Sequence, residues 1–384
     1  MLYFSIVLLI LIGTIRFDIS GCRKGRLHYF WFIVILLILL SGFAYRLGGD
    51  GYVYYREYDK YVDIFSLDSR YLDKFSSIRL PGWMILTSIT KTFISDYWFF
   101  KLIHAIIVNG LFAYGLCKCT RYIFSALLFY FVLIYFNFNF QVLRESLAVG
   151  VFMYSLQFYF SRKWLKYYLC CALALTFHES SLFSLILPAF SLWDCGKYFK
   201  YVYIVMLMTL LICANSVREY ILHITPELGM FTDRVSTYAQ AFNQEYEFTN
   251  YWNFIFNVIL PLFVVLYLEK HNVLLKYKHL VLAATFTYTL SLFIPIAYRF
   301  VNYYLIFSYL TIIIFIDKLI LHQHKLHPLV YVMCCSLFIL FKARMYLGTY
   351  GDTNVPSYHQ YYPYASIFDK SIDPEREIIL RDSY

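Results

Sequence analysis

Residues 29–45 read Tyr29-Phe-Trp-Phe-Ile-Val-Ile-Leu-Leu-Ile-Leu-Leu-Ser-Gly-Phe-Ala-Tyr45, and the next ten read Arg46-Leu-Gly-Gly-Asp-Gly-Tyr-Val-Tyr-Tyr55. The first stretch carries no charge and approaches the roughly 20 apolar residues that cross a bilayer as a helix. Aromatic residues stand at both of its ends, as they do where a span meets the two interfaces. The second stretch turns polar at once. A membrane helix thus delivers the chain to a surface, where a segment rich in Arg, Asp and Tyr begins.

The apolar pattern recurs along the chain. Further candidate spans are Trp98–Leu116, Tyr122–Phe138, Val142–Phe160, Phe199–Ala214, Tyr251–Leu268, Leu280–Pro295 and Val301–Ile316, with shorter ones at Leu2–Ile15 and Leu329–Phe341. Composition agrees: 61% of the 384 residues are hydrophobic and only 15% charged, against about 25% charged in a soluble domain. The polar segments at Arg46–Leu80, Asn215–Asn250 and Lys342–Tyr384 are each too short for an independent core, which needs at least about 40 to 60 residues. The expected architecture is therefore all-α and polytopic, with about 10–12 transmembrane helices. It divides into one transmembrane domain over 1–341, with external loops near 46–97 and 215–250, and a polar, external tail over 342–384.

Charge sets the expected orientation. Arg16, Arg23, Lys24 and Arg26 follow the first apolar run rather than precede it, so that run lacks the basic start of a signal peptide, and its N-terminus is placed outside. The basic connections Arg16–His28, Lys118–Arg121, Arg162–Lys166, Lys197–Lys200, Lys270–His279 and Lys318–Lys325 can all be cytoplasmic under the positive-inside rule. Two conditions follow. Trp83–Phe93 must be a re-entrant or interfacial helix, and Leu165–Leu192 must form a hairpin of two short helices broken near Phe177-His178. The net charge of +9 is then accounted for by cytoplasmic loops, and no nucleic-acid partner is needed.

This topology gathers the remaining polar features on the external face. An ionisable group inside a span costs roughly 2.5–3.5 kcal/mol on insertion scales, so each needs a reason. Arg144 and Glu145 open a helix that is otherwise uncharged to Phe160, and Gln141, Arg144, Glu145 and Ala148 share one face; a local ion pair would serve equally well. His178 and Glu179 interrupt the run Ala172–Pro188 and precede Ser180 and Ser181. Imidazole is a competent base near neutral pH, although a lone buried His is more often a hydrogen-bonded structural residue. Arg299 precedes Asn302 and Tyr303, expected on its own helix face, and a guanidinium binds phosphate oxygens through two parallel hydrogen bonds.

Other chemistries lack their signatures. No DxD, Walker A loop, GxSxG elbow or HExxH pair occurs, and the nine cysteines form no CxxC pair or metal-spaced cluster. Neither a metal nor another cofactor is expected. The 40 Tyr and 38 Phe suit interfacial anchoring, and Tyr rings also stack under sugars.

Four segments, in order, resemble the EpsG family of bacterial polysaccharide polymerases, a branch of the Wzy-type enzymes. Arg46-Leu-Gly-Gly-Asp50-Gly-Tyr-Val-Tyr-Tyr55 is similar to its R-x-G-T-D-x-x-x-Y block, with Gly49 where Thr is usual. Arg144-Glu-Ser-Leu-Ala148 resembles its R-[QE]-x-x-A helix start, and Phe177-His-Glu-Ser-Ser181 its F-H-x-S-[AS] break. Tyr298-Arg299-Phe300 lies near its late arginine. Pro81-Gly82-Trp83 loosely matches an E-P-G-[YF] element and lacks the Glu.

The resemblance implies a GT-C-like membrane glycosyltransferase. It would join oligosaccharide repeat units carried on polyprenyl (undecaprenyl) diphosphate, at the external face of the bacterial inner membrane, into capsule, O-antigen or exopolysaccharide. Its expected catalytic residues are His178, as base or hydroxyl orienter, with Glu179 and Arg144. Arg144 and Arg299 would hold the diphosphate, Arg46 and Asp50 would orient donor or acceptor, and Tyr303 would contact substrate. A flippase and a chain-length regulator are candidate partners beside the lipid-linked oligosaccharide and the bilayer. Two rivals remain. A glycan-decorating acyltransferase would place functional His and Arg near the inner side; a lipid-linked-oligosaccharide flippase would place charges near mid-membrane.

Overall fold

The computed structural model describes residues 2–67, 79–213, 249–273, 276–292, 294, 297–320, 327–351 and 353–382. Most of the Asn215–Asn250 loop, including Arg218, His223, Asp233 and Arg234, lies outside the described residues. Among the described residues every regular element is helical, and the protein is an all-α polytopic membrane protein. Each of the eight long apolar stretches is helical over most of its described residues. Four helices are both long and apolar enough to cross a bilayer: Leu2–Ile19, Tyr97–Cys119, Ile123–Phe140 and Trp252–Lys270.

The first of these outruns its expected end at Ile15. The α-helix Leu2–Gly13 continues as a π-helical segment, Thr14–Ile19, which carries Asp18 inward. A buried carboxylate is costly unless hydrogen-bonded, and Asp18 is fully satisfied in that sense. It accepts from the backbone N–H groups of Phe124 and Ser125, at 3.0 and 2.8 Å, and from the Ser125 hydroxyl. Those amides are orphan donors in the first turn of the Ile123–Tyr130 helix. Asp18 therefore caps a helix about a hundred residues away, which local periodicity could not reveal.

The chain divides into two compact units, Met1–Ser181 with Ile316–Tyr384, and Leu182–Phe315. In the first, the Tyr97–Cys119 helix packs along Leu143–Phe160 and Arg26–Gly42. A buried amide network ties it to Ile123–Phe140. Asn109 donates to Asn139 Oδ1 at 2.8 Å, and Tyr130 donates its hydroxyl to Asn109 Oδ1 at 2.9 Å. Between apolar helices such bonds are a main source of specific association. The network fixes the end of the Phe136–Phe140 segment, just before Gln141 and Arg144.

The Pro81–Phe93 helix starts with Pro at its first position, where the missing N–H costs nothing. Its 13 residues span about 20 Å at 1.5 Å per residue, short of the roughly 30 Å hydrocarbon core. The Trp164–Leu175 helix stops where a break was expected, and Glu179 begins a 3₁₀ run to Cys195. An α-helix was expected for this second half. Pro188 lies inside the run and removes a backbone donor, while serine hydroxyls compete for backbone groups, as Ser191 does at 2.6 Å from Pro188 O.

In the second unit, a core of Trp193, Tyr203, Leu207, Val258 and Leu282 joins the Lys197–Ile212, Trp252–Lys270 and Lys278–Ser291 helices. Glu269 collects Trp193 Nε1 at 3.0 Å and Lys200 Nζ at 2.6 Å.

Candidate active site

Three of the four motif segments meet in the first unit. The Arg26–Gly42 helix ends, and residues 43–45 pair with the distant C-terminal segment: Tyr45 N–H donates to Ala365 O and Ile367 N–H to Phe43 O, both at 2.9 Å. Arg46 follows in the left-handed region at φ 49°, which non-glycine residues seldom adopt. Two contacts hold it there: Glu377 Oε2 at 2.6 Å from its Nη2, and the Tyr52 ring, 4.4 Å from its guanidinium carbon. Gly48, at φ 77°, lies against the Phe140 carbonyl so closely that a Cβ would collide with it.

The Gly49–Tyr58 helix then begins, with Asp50 in its first turn, where negative charge suits the helix dipole. Asp50 N–H donates to Gln141 Oε1 at 3.0 Å, and its residue is exposed. One turn on, the Tyr54 hydroxyl accepts from Arg144 Nε at 3.1 Å. The arginine blocks at 46–55 and 144–148 are thereby joined directly. His104 fixes the second block, since its Nε2 lies 2.9 Å from Leu143 O, and a carbonyl partner requires that nitrogen to donate.

Arg144 is half-buried. Among the described residues its side chain meets the Tyr54 hydroxyl and ring and forms no ion pair; the expected local pairing with Glu145 is not one of its contacts. A guanidinium has five N–H donors in a planar fork, and Tyr54 takes one.

The third motif joins through the Pro81 element. Gly82 N–H donates to Thr176 O at 2.8 Å, and a Cβ on Gly82 would strike Thr176. Trp83 packs on Tyr54 at 5.0 Å and donates Nε1–H to Tyr61 at 3.0 Å. Phe177 packs on the same cluster, whose buried members include Tyr58, Trp83, Phe100, Leu143 and Leu147. His178 is therefore carried on a backbone bolted to this core.

His178 is 5% exposed. Ser180 N–H donates to its Nδ1 at 3.2 Å, and Ser180 Oγ is 2.7 Å from the same nitrogen. A backbone N–H can only donate, so in neutral imidazole the proton sits on Nε2. Ser180, rather than the exposed Glu179, makes these contacts to Nδ1.

Arg299 and Tyr303 belong to the second unit. The short Tyr298–Val301 helix ends before Tyr303, so the two do not share a helix face as expected. The chain tightens into i→i−3 bonds, Tyr303 N–H to Phe300 O and Tyr304 N–H to Val301 O. Phe300 stacks on Phe183 at 3.6 Å, and the Tyr304 hydroxyl donates to Phe183 O at 2.7 Å. Tyr303 is fully buried and Arg299 half-buried.

Several residues of the first cluster were not anticipated. Tyr54 lies inside the quoted 46–55 block, one of 40 tyrosines, with nothing local to single it out. Arg79 grips Glu57 through two nitrogens, at 2.6–3.2 Å. Lys101 is an ionisable residue in a span, which is itself a signal of function. Gln360 and Glu377 come from a tail with no local cue.

Neither a curated protein nor a solved structure matches the chain. The EpsG family model matches residues 27–366, a range that contains all four motif segments and the pieces that join the first three. With nearly its whole length matched, the chain belongs to the EpsG family, whose members are Wzy-like polysaccharide polymerases.

Proposed function

We propose that this protein polymerises oligosaccharide repeat units linked to a polyprenyl diphosphate, at the extracytoplasmic face of the bacterial inner membrane. The observation that carries this reading is the convergence of the Arg46, Arg144 and His178 segments on one aromatic core, with Arg144 joined to Tyr54.

In the reaction, an acceptor sugar hydroxyl of one lipid-linked unit bonds to the anomeric carbon of another. The carbon–oxygen bond to diphosphate breaks, and the hydroxyl proton passes to the departing diphosphate. That bond is already activated, so the protein's part is to align the two sugars and to stabilise charge growing on the leaving group. Arg144 presents to the departing diphosphate the guanidinium donors that Tyr54 leaves open. Asp50, exposed at a helix start, orients the acceptor hydroxyl, and Arg46 shapes the loop beside it. His178 acts through Nε2–H as a donor to a substrate oxygen, which is the orienting half of the role expected for it. Glu179 adds negative charge at the rim of this group.

The test is a surface-polysaccharide gel from a deletion strain complemented with wild type or Arg144→Ala, with membrane levels matched. A ladder with wild type and single lipid-linked units with the variant support the reading. A ladder that persists while acylation or export changes overturns it.

A further inference from the structure

Beside the joined motifs, the first unit holds a partly open cavity of about 340 Å³ between the 44–55 segment, the start of the Tyr97–Cys119 helix and the C-terminal tail. That volume falls in the range of small-molecule sites, about 300–1,000 Å³. Tyr52, Tyr55, Tyr97 and Trp98 line the cavity, with Tyr52 and Tyr55 stacked at 5.9 Å and Tyr97 edge-on to Tyr55. Such rings offer flat apolar faces together with polar edges, which suits a sugar ring.

Lys101 also lines this cavity and is only 4% exposed. Its ammonium has three donors. The Asn139 carbonyl accepts one, and the Phe140 ring lies 5.2 Å away. Among the described residues no carboxylate pairs with it. Buried cations are normally paired, and this one lies in the opening turns of a 23-residue helix, where the dipole disfavours positive charge. The cavity's other charges do not cancel it. Arg46 is matched by Glu377, Lys370 adds a second cation at the tail wall, and Asp96 is exposed to solvent. Attraction falls with dielectric constant, so the buried ammonium outweighs the solvated carboxylate.

From these observations we infer that the cavity is a saccharide subsite selective for an acidic sugar, with Lys101 pairing the sugar carboxylate and the aromatic wall holding its ring. The inference rests on the polymerase reading and names the substrate class: a repeat unit that contains a uronic acid. Lys101 is then the specificity residue, and Lys370 carries a weaker share from the tail.

Binding to the purified full-length protein in nanodiscs, followed by saturation-transfer NMR, tests this without requiring polymerisation. The probes are a panel of methyl hexuronides, the matching neutral methyl hexosides, and inorganic pyrophosphate. At least one hexuronide is expected to bind tenfold or more tightly than its neutral counterpart. Lys101→Met should abolish that preference, and Lys370→Gln, at an exposed position, should reduce it a few-fold without affecting folding. Equal binding of acidic and neutral sugars, or binding of no hexuronide, overturns the inference. So does Lys101-dependent binding of pyrophosphate alone, which would make the cavity a diphosphate site. A lost ladder with preserved hexuronide preference, or the reverse, separates failure of this inference from failure of the polymerase reading.

Discussion

Glu377 Oε2 lies 2.6 Å from Arg46 Nη2, across 331 residues of chain. The pair is mostly buried, with side chains 23% and 19% exposed, and it holds an arginine whose backbone sits in the left-handed region at φ 49°. Around it, Gly48 N–H donates to Gln360 O at 3.0 Å, and Ser366 bridges to Ala44. The tail is thus one wall of the Arg46 loop rather than an appendage.

Charge reversal tests what this pair does. Arg46→Glu alone and Glu377→Arg alone should each lower stability by about 1.5–3 kcal/mol, the usual worth of a hydrogen bond to a charged group. The double exchange should recover thermal stability in a detergent melt. It should not recover the polysaccharide ladder, because the functional loop would still lack its arginine. A restored ladder would reduce Arg46 to an anchor.

Arg144 and Tyr54 define a second experiment. Tyr54→Phe removes one acceptor from Nε and leaves the rest of the guanidinium in place, so chain length in the gel should shorten while polymer persists, with a drop in rate of about tenfold, or roughly 1.4 kcal/mol. Arg144→Lys should be nearly as damaging as Arg144→Ala, since an ammonium cannot present a planar fork. Full activity of Arg144→Lys would show that charge alone is needed there.

Gly82 has a packing role that can be measured without substrate. Its N–H reaches Thr176 O at 2.8 Å, and a Cβ at this site meets Thr176. Gly82→Ala should therefore push the Thr176–His178 backbone away and cost about 1–3 kcal/mol, as overpacking does. Unchanged melting and unchanged polymer would mean that the contact relaxes freely.

The helices and the break beside His178 are legible in the chain because their signals are local. Apolar runs marked the spans, and His178 and Glu179 marked a break that the structure places after Leu175. What was not readable depends on contacts between distant segments. Asp18 is tolerable inside the first helix because the amides of Phe124 and Ser125 face it and Arg26 pairs with it at 3.4 Å. Glu377 finds Arg46 only after the tail has folded back. The spacing of Tyr303 from Arg299 predicts a continuous helix, but the helix ends at Val301. Lys101 lies within an apolar run, and the cavity it lines is built by segments distant in the chain.

The role of His178 separates most sharply by substitution. Ser180 N–H occupies Nδ1, so the neutral ring presents a donor at Nε2 and no free lone pair there. A glutamine places an amide N–H near the same point and cannot act as a base. His178→Gln should therefore retain a shortened ladder, while His178→Ala leaves single repeat units. Ser180→Ala should remain close to wild type, because the backbone N–H that sets the tautomer survives. If His178→Gln is as inactive as His178→Ala at equal membrane levels, the ring works by taking a proton, and the Ser180 contact must open during the reaction.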